Sequence, residues 1–293
     1  MNLLNQPKNP YLLFIGTVMM GVFITIICSM LLLIPYLSDI ANHSLNMMLL
    51  PREKLISLQV ANMLGLFIFP PILYALFSKN EFLHTFNLDK KIEIKHCLYA
   101  FLLALGLFPV LINIQYIITQ LPLPEAIKHS AEIQKLANEK ILSLFLDFPG
   151  IPNLVLMVLI IGIGAGLTEE LFFRGLLMPL IARITKSQWT GIVLSGVIFS
   201  AFHANLYDFI PIVMVGMLLG YIYTATGDLK LNIFLHATYN SFQVVLNYLF
   251  NNKMLSFDID KLEYVPIYVF VVCLAVCAIF VKLITKKNEH ISH

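Results

Sequence analysis

Three short patterns place ionisable and amide side chains inside runs that are otherwise apolar. The first lies in IIGIGAGLTEELFFRGLLMPLIARI, which Glu169, Glu170 and Arg174 interrupt. The second is FxxxH, formed by Phe199 and His203 towards the end of WTGIVLSGVIFSAFHA. The third is HxxxN, His236 and Asn240 within LNIFLHATYNSF. A charged residue at the centre of a membrane helix costs about 2.5–3.5 kcal/mol, so the first cluster costs roughly 8–10 kcal/mol unless its members find partners. Helical spacing sorts them. Glu170 and Arg174 stand four residues apart and can pair on one face, whereas Glu169 is turned away by about 100°. His236 and Asn240 share a face by the same spacing.

The chemistry within reach is that of carboxylate, imidazole and carboxamide. Out of bulk water a carboxylate is a stronger base, and a neighbouring imidazole can hold and polarise a water. A second imidazole and an amide N–H suit an oxyanion hole, worth roughly 3–4 kcal/mol per donor in other hydrolases. Other chemistries lack their parts: there is no serine or cysteine nucleophile elbow, no HExxH zinc pair and no glycine-rich phosphate loop after a strand. A purely structural role competes with this reading, since buried charges can simply lock helices together and a single intramembrane histidine is often a packing residue. Two histidines, an asparagine and a carboxylate cluster together favour a site.

The elements that carry these residues are made for lipid. Of 293 residues, 59% are apolar and 12% charged, against roughly 45–50% and about 25% in soluble domains. A membrane span needs about 20 predominantly apolar residues. Eight stretches qualify or nearly do: 11–36, 56–78, 97–120, 154–184, 189–204, 209–226, 231–250 and 264–284. The expected fold is an all-α, polytopic transmembrane bundle, one integral membrane domain over 1–293 with its chemistry in 150–250. The first stretch is too long for a signal-peptide core and lacks a small-residue cleavage site, so it reads as a retained helix.

Lys and Arg orient the bundle. One side carries eleven: Lys8, Lys79, Lys90, Lys91, Lys95, Arg183, Lys186, Lys230, Lys282, Lys286 and Lys287. The other carries seven: Arg52, Lys54, Lys128, Lys135, Lys140, Lys253 and Lys261. This places both termini in the cytoplasm. The net charge of +2 and the scatter of the basic residues exclude nucleic acid as a partner. Cys28, Cys97, Cys273 and Cys277 lack CxxC spacing and read as small core residues. Gly162 with Gly166, and Gly216 with Gly220, have the spacing that lets membrane helices approach closely. Pro70, Pro71 and Pro109 predict kinks, and Asn113 and Gln115 either line a cavity or bond to neighbouring helices. Segment 125–145 reads either as an interfacial amphipathic helix or as a solvated loop with a short helix.

A hairpin about residues 185–188 puts Glu169 and His203 level, each roughly 21–23 Å from the turn. Asn240 lies roughly 14 Å from the same side, about 8 Å short unless its helix tilts or starts deep.

Taken in order, EExxxR, FxxxH and HxxxN resemble the CAAX protease and bacteriocin-processing family, also called the Abi family, which includes the Rce1-type prenyl-protein endopeptidases. The resemblance covers about residues 150–250. It implies a glutamate-type intramembrane endopeptidase of eight helices with a cavity open to the cytoplasm. Carried over by position, Glu169 and His203 activate the water, His236 and Asn240 form the oxyanion hole, and Glu170, Arg174 and Phe199 support the site. It implies no cofactor; zinc held by Glu169, His203 and His236 is the metallopeptidase alternative. The implied partners are the lipid bilayer and a lipidated, CAAX-type or membrane-embedded peptide, or a prenylated protein. The Lys-, Ile- and Asn-rich composition without a targeting extension points to a multi-pass protein of a bacterial cytoplasmic membrane. Two other classes stay open. One is a non-catalytic membrane partner in bacteriocin immunity or peptide signalling. The other is a proton-coupled transporter using Glu169 and Glu170 as a relay, which lacks the support of an internal repeat.

Overall fold

A computed structural model describes residues 9–41, 50–79, 81–146, 150–254 and 264–286, and among these every regular element is helical. This is the outcome that lipid imposes on apolar runs, because a helix satisfies its own backbone groups where water cannot. The helices are α1 Pro10–Ile40, α2 Arg52–Phe77, α3 Ile94–Thr119, α4 Glu125–Leu146, α5 Ile151–Thr185, α6 Gln188–Phe202, α7 Phe209–Thr226, α8 Leu229–Asn251 and α9 Ile267–Thr285. Local chemistry sets their ends. The Asn9 side chain caps α1 by accepting from Leu12 N at 3.1 Å, and Ser187 caps α6 through Thr190 N at 3.2 Å. Asp228 caps α8 through Lys230 N and Leu231 N. Lys186 and Gly227, both in the left-handed region, close α5 and α7.

Helices stand at all eight expected positions, but they are not equally able to cross a membrane. Six are long and apolar enough: α1, α2, α3, α5, α7 and α9. The fifth expected span, α6, has only 15 residues, about 22 Å of rise. The seventh, α8, is 23 residues long but carries a polar stripe of Asn232, His236, Asn240, Gln243 and Asn247. The exposed side chains of α1 and α9 are those of a lipid-facing wall, with Leu12 67% and Ile267 73% accessible. The chain is an all-α, multi-pass membrane protein. Its termini, with Lys8, Lys261 and Lys287, lie outside the described residues.

Small residues position the helices around the site. A Cβ on Gly166 would lie 2.7 Å from the backbone nitrogen of Ala237, and one on Gly162 would lie 2.2 Å from Ser241 Oγ, so α5 and α8 touch nearly backbone to backbone. Gly216 does the same for α6 and α7, against Gly196 at 2.8 Å. Along α5, π-helical stretches at Val158–Gly164 and Leu171–Leu177 bracket the α-helical turn that bears Glu169 and Glu170. Only Cys277 among the cysteines is buried; Cys28, Cys97 and Cys273 are half-buried, so the expectation of core residues holds for one of four.

Segment 125–145 is one continuous helix, α4. Of its apolar residues, Phe145 is buried, whereas Ile127, Ile133, Leu136 and Leu142 are exposed, Leu142 also lining a cavity. Lys128, Glu132, Lys135 and Glu139 line that same cavity, at the three- and four-residue spacing of one helix face.

Candidate active site

Glu170 gathers three side-chain donors in the interior. It is fully buried. One carboxylate oxygen accepts from Arg174 Nη1 at 2.6 Å and from His236 Nδ1 at 2.9 Å, and the other accepts from Asn232 Nδ2 at 3.2 Å. Arg174, also fully buried, donates Nη2 to the carbonyl of Gly216 on α7 at 3.0 Å and lies 4.8 Å from the centre of the Phe199 ring. The expected pairing of Glu170 with Arg174 is therefore present, and it is the core of a cluster that ties α5 to α6, α7 and α8. Burying two charges is tolerated when geometry is good and the remaining hydrogen-bonding sites are filled; here three donors converge on one carboxylate, while Arg174 Nε is buried without a partner.

Glu169 sits on the same helix with a different task open to it. Its side chain is 15% exposed, and its Oε2 is a buried oxygen without a hydrogen-bond partner. That oxygen lies 3.7 Å from His236 Nε2. The His236 ring thus spans the two carboxylates. Because Nδ1 faces the Glu170 carboxylate, it carries the proton, and in the neutral ring Nε2 presents a lone pair towards Glu169.

Glu169, His203, His236 and Asn240 all line one cavity of about 980 Å³, together with Phe199. The sequence expectation paired Glu169 with His203, whereas the contact here is with His236. His203 is exposed at the end of α6, its Nδ1 donating to the carbonyl of Phe199 at 2.9 Å. Phe199 packs its ring against both imidazoles, with centroids 4.7 Å from His203 and 5.8 Å from His236, which gives the FxxxH spacing its physical reason. Asn240 Nδ2 lies 3.4 Å from the carbonyl of Ile161. Ile161 is eight residues before Glu169, so Asn240 sits on the far side of Glu169 from the α5–α6 turn. The helical-rise estimate placed it on the near side. The reason is that α8 meets α5 well along its length: Asn232, the fourth residue of α8, already touches Glu170.

Sequence reading passed over Asn232, which is fully buried and donates to both Glu170 and the carbonyl of Leu219 at 2.7 Å. The signal was present, since Asn232 precedes His236 by four residues and extends HxxxN to NxxxHxxxN. It also passed over Asp208, which links Gln115 of α3 and Asn205 by accepting from both amides. Burial pushes the Asp208 carboxyl above the usual carboxylate range, with Lys135 and His203 pulling it back. Gln115 does line the cavity, while Asn113 is buried elsewhere, accepting from Val265 N at 3.2 Å. Among the described residues, no group of three or more His, Cys, Asp or Glu side chains is arranged to hold a metal ion. Glu169, His203 and His236, the trio named for zinc, do not converge on such a group.

Fold and site together define a class: a multi-pass membrane protein whose helices close a carboxylate and imidazole cluster around an internal cavity. Residues 151–242, from the start of α5 into α8, match the family described as type II CAAX prenyl endopeptidase Rce1-like. No curated protein and no solved structure matches the chain.

Proposed function

We propose that this protein is an intramembrane endopeptidase that hydrolyses a peptide bond of a lipidated or membrane-embedded peptide, with Glu169 as general base. The observation that carries the reading is the unpaired, buried Oε2 of Glu169, 3.7 Å from His236 Nε2 at the wall of the cavity. That separation is too long for a direct hydrogen bond and suits a water touching both atoms. Such a water donates one hydrogen to each, and its remaining lone pairs are free to attack a carbonyl carbon.

Attack forms the new C–O bond as the proton passes to Glu169. Collapse breaks the C–N bond, and Glu169 returns the proton to the leaving amine. Glu170 fixes the tautomer of His236, and Arg174 and Asn232 fix Glu170. For the oxyanion, Asn240 retains a second amide hydrogen beyond the one directed at Ile161. His203 stands on the same cavity with its ring held by the Phe199 carbonyl. Phe67, Phe108 and Phe202 give the cavity an apolar wall, and a volume of about 980 Å³ lies at the upper end of ligand pockets. There is room for a peptide and part of a lipid chain.

The test is cleavage of a fluorogenic prenylated peptide, alongside an unprenylated transmembrane peptide, by purified protein in detergent. The wild type is expected to cleave at least one, Glu169→Gln neither, and a chelator is expected to leave the rate unchanged. Turnover by Glu169→Gln at the wild-type rate would remove Glu169 from the chemistry. Failure of the wild type on both peptides would favour a binding role for the cavity.

A further inference from the structure

We infer that Gln243 and Asn247 of α8, with Gln59 and Asn62 of α2, form a subsite that binds the backbone of an extended polypeptide beside Glu169. The position of the cleaved bond rests on the proteolytic reading above; the binding of the chain does not.

Helix register gathers these residues. The α5 and α8 helices run in opposite directions: Ala237 stands against Gly166, Ser241 against Gly162, and Val244 shares a cluster with Met157. The α2 helix runs with α5. Arg52 Nη1 donates to Asn153 Oδ1 at 3.2 Å near the start of both, and a Cβ on Gly164 would lie 2.7 Å from Met63 Cε. The four carboxamides therefore lie on the side of Glu169 towards the start of α5. All four line the cavity, and so does Asn240, between His236 and Gln243. The other direction differs. Phe67, one turn beyond Met63, packs against Phe173 and Phe202 with centroids 5.7 and 5.6 Å away. Asn232, one turn before His236, is fully buried and committed to Glu170 and Leu219. A chain lying across Glu169 meets aromatic rings on one side and carboxamides on the other.

The chemistry of this stripe selects its ligand. Neither α2 nor α8 contributes an Asp, Glu, Lys or Arg to the lining, so the stripe holds no counter-charge for a phosphate or a carboxylate. A carboxamide has two N–H donors and an accepting oxygen. On α8, Asn240 Nδ2 donates to the carbonyl of Ile161 at 3.4 Å, Asn247 Nδ2 donates to the carbonyl of Gln243 at 3.1 Å, and the Gln243 side chain bonds to the Tyr239 hydroxyl. Each keeps capacity for a ligand that both donates and accepts. A peptide backbone is such a ligand, and at membrane depth its unpaired groups are costly. The spacing agrees. Gln243 and Asn247 are separated by about 6 Å of helical rise, and residues i and i+2 of an extended chain, which turn the same edge to a neighbour, repeat at about 6.6 Å. From His236 to Asn247 is about 16 Å, the length of about five extended residues. The substrate class is thus a polypeptide without secondary structure for about five residues on one side of the cleaved bond.

Backbone N-methylation tests this, because it removes one N–H and leaves every side chain in place. The prenylated and the unprenylated transmembrane peptide of the cleavage assay, each with a fluorophore, are titrated against Glu169→Gln protein in detergent, intact and singly N-methylated at successive residues. The cleaved bond is mapped by mass spectrometry of wild-type products. N-methylation within about five residues on one side of that bond is expected to weaken binding of at least one peptide about two- to tenfold, the worth of one hydrogen bond. Adding Gln243→Met or Asn247→Leu is expected to weaken the unmethylated peptide by as much and to erase the methylation penalty at one position. If either variant fails to accumulate, Gln59→Met and Asn62→Leu replace them. Unchanged binding in the variants, penalties that persist in them, or no binding of either peptide overturns the inference. Wild-type cleavage without a methylation penalty would strike the subsite and keep the protease. Penalties erased by the variants, without cleavage by the wild type, would keep the subsite and fault the proteolytic reading.

Discussion

Glu169 and Glu170 are neighbours in the chain and opposites in environment. Glu170 accepts from three side chains, Arg174, His236 and Asn232, and Glu169 keeps a buried oxygen free. Their substitutions should therefore separate. Glu170→Ala leaves Arg174 buried without its counter-charge, at a cost of about 3–5 kcal/mol, and thermal unfolding in detergent should fall markedly. Glu169→Gln should unfold near the wild-type temperature while losing turnover. Asn232→Leu should reduce turnover and destabilise the fold together, since it strips one donor from Glu170 and one from the Leu219 carbonyl. Asp208 carries a pH signature. Its carboxyl is pushed up by burial, so the folded state holds the proton more tightly than the unfolded state. Stability from this group is fully present below the ordinary carboxylate range and is lost as pH rises through the folded value. Asp208→Asn should flatten that part of the stability profile relative to wild type; an unchanged slope would locate it elsewhere.

At the scale of elements, the contact between α5 and α8 sets the geometry. Gly166→Val places side-chain atoms where the backbone nitrogen of Ala237 stands 2.7 Å from a Cβ. Overpacking of this kind costs about 1–3 kcal/mol. It should also move His236 away from both carboxylates, so turnover is expected to fall more than stability. A variant that loses stability alone would show that the helices reseat without moving the ring. The small-residue spacing at Gly162 and Gly166 was legible in the sequence because close approach needs only size. The pairing of Glu170 with Arg174 was legible because it lies within one helix. What spacing could not give was how far along α5 the α8 helix begins. That depends on packing between segments sixty residues apart, and it decides that His236, not His203, faces Glu169. The amphipathic pattern of α4 was likewise visible, but the face it turns to the cavity depends on Ala131 packing with Ile118 and Tyr207, a tertiary contact.

For the molecule as a whole, helices of unequal length must meet one bilayer. The α6 helix spans about 22 Å where the hydrocarbon layer measures about 30 Å, while α1, α2, α3 and α5 are 26 residues or longer. A membrane meeting α6 must thin or its lipids must tilt, at a cost of a fraction of a kcal/mol per ångström of mismatch. Bilayer thickness then becomes a control on the enzyme. In liposomes, turnover is expected to decline as phosphatidylcholine acyl chains lengthen from 14 to 20 carbons, and a rate flat across that series would mean that neighbouring helices shield α6 from lipid altogether.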